Sequence, residues 1–125
     1  MTISAAELVQ SAKSAIQNLS PAQVAEELRR GEAVLVDVRD APELTAGRIP
    51  GAVHASRGML EFHADPGCTA HKEGLHPDRR TILHCASGGR SALAVRTLQA
   101  MGYTNVAHLD GGFQAWQTAG LPIEK

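Results

Sequence analysis

Short apolar runs decide what this chain can fold into. Ala33–Val38 reads AVLVDV, a continuous β-branched run and so a strand buried on both faces. Thr81–Cys85 (TILHC) reads as a second buried strand and Val106–Leu109 (VAHL) as another. The stretches between them carry helical spacing and helix caps. Strands separated by helices join by right-handed crossovers into a parallel sheet covered on both faces. The fold class is therefore α/β, one domain with a central, mostly parallel sheet and helices on both sides. In such sheets ligands bind beyond the carboxyl ends of the strands, where Asp37-Val38-Arg39 and Cys85 are expected.

The 125 residues are enough for one domain with a real core. Aromatics are only 3% of the chain, so that core is built of Ala, Val, Leu and Ile. Ser4-Ala5-Ala6-Glu7 has the spacing of a capping box. Leu8, Val9, Ala12, Ile16 and Leu19 follow as one helical stripe, which predicts an N-terminal helical extension over 1–19 ahead of a domain over 20–125. Ser20-Pro21-Ala22-Gln23 opens a second helix that stops at Gly31, and Asp40-Ala41-Pro42-Glu43 opens a short one ending near Gly47. A short strand is expected within 49–56, a helical turn or two at 58–62, and an irregular connection over 64–77. Helices are expected over 91–101 and in GGFQAWQTAG, the last with Phe113 and Trp116 facing in.

Net charge is −1 and no basic block exceeds Arg79-Arg80, so neither nucleic acid nor an anionic membrane is an expected partner. The N-terminal stretch lacks the basic and long apolar regions of a secretory leader, and a cytoplasmic location is expected. Cys68 and Cys85 are then free thiols.

Where the strand 81–85 gives way to a helix, the chain reads LHCASGGRSALA, Leu83–Ala94. A helix N-terminus presents unpaired N–H groups and partial positive charge. Ala86, Ser87, Gly88, Gly89 and Ser91 are small enough to let backbone amides converge, and Arg90 adds a planar, permanently charged fork. This is a cradle for an anion with a sulfur inside it. The same field favours thiolate, and such sites lower a cysteine pKa from about 8.5 to roughly 3.5–7.5. Cys85 is the candidate nucleophile and Arg90 its candidate charged partner, with Arg57 set at the pocket rim.

Leu35–Gly58 (LVDVRDAPELTAGRIPGAVHASRG) and Leu83–Trp116 (LHCASGGRSALAVRTLQAMGYTNVAHLDGGFQAW) together resemble the rhodanese domain family of sulfurtransferases. The shared landmarks are Asp37-Val38-Arg39, Gly47–Ala52, the Cys85 loop and Leu109-Asp110-Gly111-Gly112. The resemblance implies a persulfide cycle. Cys85 takes sulfane sulfur from thiosulfate or a persulfide and passes it to cyanide or a thiol. The implied partners are small molecules, with no cofactor. Two other readings stand beside it: a non-catalytic binding or regulatory module, and a cysteine phosphatase or arsenate reductase. Related phosphatases carry a loop one residue longer than the six residues from Cys85 to Arg90, and a wider ring suits phosphate.

His84 abuts Cys85, but strand neighbours point to opposite faces, so it is expected to pack away from the sulfur. His54 and His108 are also expected to pack. Arg39 and Asp37 are expected to form a structural ion pair. His63, Cys68, His71 and His76 lack the paired spacing of a zinc site, and no metal is expected.

Overall fold

A computed structural model describes residues 1–125. Ser4 and Glu7 form the expected capping box at the start of α1 (Ala5–Ser14). The helix then stops, and Gln17–Leu19 form a strand, β1. This corrects the reading of one helical stripe through Leu19. Leu19 is buried as a strand residue, while Leu8, at the other end of that stripe, is exposed. The reason is register: Gln17, Asn18 and Leu19 pair with Ala107, His108 and Leu109, and these ladder bonds override a weak helical period.

A second capping box, Ser20 with Gln23, opens α2 (Pro21–Arg29). β2 (Val34–Asp37) follows, then a 3-10 turn (Ala41–Ala46), β3 (Val53–His54) and a second 3-10 turn (Arg57–Met59) running into α3 (Leu60–Ala64). After the irregular connection come β4 (Thr81–His84), α4 (Gly89–Ala100), β5 (Val106–Leu109) and α5 (Gly112–Thr118). The five strands make one wholly parallel sheet in the order β1-β5-β4-β2-β3.

Strand parity sorts the core into two layers. Val36, Val38, Leu83, Cys85 and Val106 pack with Ala94, Val95 and Leu98 of α4 and with Leu60 and Ala64 of α3. Leu35, Ile82, Ala107 and Leu109 pack with Val24 of α2 and Phe113 and Trp116 of α5. α1 lies against α4, on the side of the sheet that Cys85 faces. No helix is long and apolar enough to cross a membrane.

Candidate functional site

β4 ends at His84, and the next residue, Cys85, is 1% exposed. Its sulfur accepts N–H bonds from Gly88 at 3.1 Å and Ser91 at 3.4 Å, and lies 3.5 Å from the Ser91 hydroxyl. Two features turn the loop this way. Gly88 has φ of 109°, a left-handed conformation that starts α4 inside the loop, and a Cβ there would stand 3.2 Å from the Gly111 amide. From below, α5 takes up the loop's carbonyls: Phe113 N–H donates to Cys85 O at 2.8 Å and Gln114 N–H to Ala86 O at 3.0 Å. A Cβ on Gly112 would sit 2.6 Å from Cys85 O, so only glycine permits this approach. With the carbonyls held by α5, the amides of Gly88 and Ser91 are left to face the sulfur.

Burial opposes ionisation of Cys85. The Ser91 hydroxyl and the amides of Ser91, Gly88 and Ser87 outweigh it and hold the thiol below its ordinary pKa. Of the residues predicted from 85 to 91, Ser87, Gly88 and Ser91 bring donors to the sulfur.

Arg90 is the exception within the loop. Its guanidinium makes a bidentate pair with Glu43 of the 3-10 turn, at 2.7 and 2.9 Å. That pair holds Glu43 down to about 2 and raises Arg90 further above its already high value. The charge expected inside the cradle is therefore taken up by a carboxylate beside it, and the loop is anchored to the turn after β2. Arg57 does not stand at the rim. It bonds Glu61 at 3.1 Å and Thr97 Oγ1 at 2.9 Å, more than a helical turn along α4 from Ser91. That correction follows from α3, whose Glu61 lies one turn on and captures the guanidinium.

His84 faces the opposite layer. It is fully buried, stacks on Phe113 with ring centroids 6.4 Å apart, and leaves Nε2 without a hydrogen bond, 3.5 Å from Asp37 Oδ2. Burial lowers its pKa, and the ring is neutral. Asp37 accepts three side-chain bonds from Arg39 between 2.8 and 3.2 Å, and Arg39 also donates to Gly47 O and covers the Phe113 ring at 4.3 Å. This is a buried structural pair. His54 Nε2 bonds Arg39 O at 2.7 Å, and His63 and His71 each bond a backbone carbonyl. Cys68 is a partly buried free thiol in the 64–77 connection.

His108 is the residue that packing arguments missed. Its Nδ1 lies 2.9 Å from Ser91 Oγ, and its Nε2 lies 2.7 Å from Asn18 Oδ1. A line of contacts thus runs from Cys85 through Ser91 and His108 to the N-terminal segment. His108 shares the parity of Val106 and so faces the Cys85 layer, a signal present in VAHL once the strand is recognised.

Residues 20–119 match the family model of the rhodanese-like domain. The thiosulfate sulfurtransferase GlpE of Ectopseudomonas mendocina is 35% identical over 114 residues, which is 89% of this chain and 93% of that one. A solved protein of unknown function from Rhodopseudomonas palustris, described as a possible tyrosine phosphatase, is 40% identical with a TM-score of 0.89, covering 99% of this chain and 96% of that one. The polysulfide-sulfur transferase homodimer of Wolinella succinogenes is 33% identical with a TM-score of 0.76, covering 94% of this chain and 84% of that one.

Proposed function

The chain belongs to the rhodanese-like domain family, and from that premise we propose that it is a sulfurtransferase carrying sulfane sulfur on Cys85. The observation that carries this reading is the sulfur itself, buried and held by the Gly88 and Ser91 amides at the start of α4. The kinship with a thiosulfate sulfurtransferase and a polysulfide-sulfur transferase supports the same chemistry.

In this reading the Cys85 thiolate attacks the outer sulfur of thiosulfate or of a persulfide donor. The donor's S–S bond breaks and its electron pair departs with sulfite, or with the donor thiolate. A persulfide remains on Cys85, with its negative charge on the outer sulfur. Cyanide or an acceptor thiolate then attacks that sulfur, and Cys85 leaves as thiolate. Donor, nucleophile and persulfide are all anions, and preorganised amides stabilise each of them without reorganising. Cys85 is 1% exposed, so a donor meets it with its outer sulfur leading. With Arg90 engaged by Glu43, the Gly88 and Ser91 amides are the donors held on the sulfur.

The phosphatase reading rests on the Rhodopseudomonas relative. It asks a six-residue loop to surround three equatorial oxygens, with its one guanidinium paired elsewhere. Sulfite leaves as a stable anion and needs no general acid, whereas an alkoxide does.

The test is intact mass spectrometry after incubation with thiosulfate. The protein is expected to gain the mass of one sulfur atom. The gain should be lost in Cys85→Ser and kept in Cys68→Ser, with thiocyanate formation from cyanide following the same pattern. Folded protein that never takes up sulfur from thiosulfate or polysulfide would favour the binding-module reading. Turnover of p-nitrophenyl phosphate through Cys85 would favour the phosphatase.

A further inference from the structure

The contacts beyond the sulfur have a defined direction. Asn18 Nδ2 donates to two carbonyls, Lys13 O at 2.9 Å and Ile16 O at 3.3 Å. Its Oδ1 therefore faces His108 Nε2, which must be the protonated ring nitrogen, leaving Nδ1 bare. A bare Nδ1 accepts, so the Ser91 hydroxyl donates to it at 2.9 Å. Ser91 has a single proton. It cannot serve Nδ1 and the Cys85 sulfur at once, and the remaining acceptor, Gly88 O, is farther away at 3.4 Å. Parallel register makes the arrangement possible: Asn18 and His108 are direct cross-strand partners on β1 and β5.

We propose that His108 is a positioning residue that acts on Cys85 through the Ser91 hydroxyl, with Asn18 of the N-terminal segment fixing its tautomer. When Cys85 is a thiol, its S–H donates to Ser91 Oγ, and the Ser91 proton rests on His108. When Cys85 ionises, its proton going to bulk water, the sulfur anion becomes the better acceptor. The Ser91 hydroxyl then rotates from His108 to the sulfur. Given the sulfurtransferase reading, on which this last step rests, the persulfide makes the Cys85 sulfur neutral again and the hydroxyl returns to His108. It swings back when the outer sulfur is taken and Cys85 must leave as thiolate. His108 thus competes with the thiolate for one proton. This is opposite in sign to a Cys-His pair, in which histidine would stabilise the anion.

The groups facing the imidazole agree with a neutral ring. Burial holds it down to about 4, and the nearby Lys13 of α1 and Asp110 beyond β5 pair with each other at 3.1 Å. Lys13 opposes and Asp110 favours a proton on His108. Residues ahead of Ser20 therefore take part in tuning the sulfur, although the family match begins at residue 20.

The test is the pH dependence of iodoacetamide alkylation of Cys85 in the full chain, in a Cys68→Ser background, with no sulfur donor present. Ser91→Ala should raise the midpoint by about one unit, the size of one hydrogen bond to a charged group. His108→Leu should lower it by about half a unit, because the Ser91 proton loses its rival acceptor. His108→Asn puts an oxygen where Nδ1 stood and should restore the wild-type midpoint. Asn18→Val, an exposed position on the edge strand, should shift the midpoint in the same direction as His108→Leu, because it releases the tautomer without disturbing the core. The proposal is overturned if His108→Leu raises or leaves the midpoint, or if His108→Asn tracks His108→Leu. Failure to load sulfur with this pattern intact would instead count against the sulfurtransferase reading alone.

Discussion

His84 and His108 are both fully buried histidines on neighbouring strands near the carboxyl edge of the sheet. His84 is bonded in sequence to Cys85, yet the sheet separates it from the sulfur and packs it on Phe113 beside Asp37 and Arg39. His108 comes from another strand and reaches the sulfur through one hydroxyl. Strand parity explains the difference. Cys85 shares a layer with Leu83 and Val106, whereas His84 shares one with Ile82 and Phe113. One layer holds the buried Asp37–Arg39 pair and the other holds the thiol, and substitutions on each should show different symptoms.

The largest expected effect is on the structural layer. Asp37→Ala leaves the Arg39 guanidinium, 4% exposed, without its carboxylate. Breaking a buried pair in this way costs about 3–5 kcal/mol, a large share of a small domain's total. Urea unfolding at neutral pH should show that loss. The alkylation midpoint of Cys85, taken while the protein is folded, should move less than it does in Ser91→Ala. An equal or larger shift would mean that the two layers are electrostatically one site.

The next effect lies in the acid limb of stability. His108 ionises only near about 4 in the fold because burial excludes its charged form, against about 6.5 in an unfolded chain. The unfolded chain binds this proton first. Stability is therefore full above about pH 6.5 and drains as pH falls toward 4, by at most about 3 kcal/mol from this group. Burial lowers His84 as well, so it adds to the same limb. Asp37 acts lower still. Burial would raise it, but Arg39 outweighs that and holds it below the usual carboxylate value, so its contribution is lost only as pH falls through its folded pKa. His108→Leu should flatten the limb between about pH 6.5 and 4, and His84→Leu should flatten it below about 6.5, read by urea midpoints across that range. Only His108→Leu should also move the thiol. A limb unchanged in both variants would show that neither histidine is held neutral by the fold.

The same division marks what could be read before the fold was known. The central strands β2, β4 and β5, the helices α4 and α5 and the cradle from Cys85 to Ser91 follow from apolar runs, helical period and glycine placement. Those signals are local. β1 escaped because it has three residues, two of them exposed, and because Ile16 and Leu19 also fit a helical stripe. It exists as a strand only because β5 lies beside it. The pairing of Arg90 with Glu43 and the capture of Arg57 by Glu61 and Thr97 are choices between several available acids and hydroxyls. Such choices depend on where the 3-10 turns land. His108 was legible as a buried residue, but its partners, Ser91 and Asn18, depend on register across β1 and β5.

The smallest expected effect falls where the two layers meet. Glu43 accepts from Arg90 through its carboxylate, while its backbone carbonyl accepts from Arg39 at 3.4 Å. Its carboxylate also caps the 3-10 turn by accepting the Asp40 N–H at 2.8 Å. Glutamine keeps that cap, since its amide oxygen can accept the same bond, but removes the charge opposite Arg90. The two side chains are 33% and 38% exposed, so screening limits the loss of stability in Glu43→Gln to about 0.2–1 kcal/mol. The anion chemistry should respond in the other direction. An uncompensated guanidinium at the end of the cradle attracts a doubly charged donor, so half-saturation by thiosulfate should fall about twofold to fivefold. Because the attraction is partly exposed to solvent, the gain should shrink on going from about 0.05 M to 0.5 M salt. The Asp37–Arg39 pair should be untouched, while the share of the lower acid limb that belongs to Glu43, lost as pH falls from its ordinary carboxylate range toward about 2, should disappear. Weaker thiosulfate loading at every salt concentration would instead mean that the Glu43–Arg90 pair holds the loop in shape, and that its anchoring outweighs its charge.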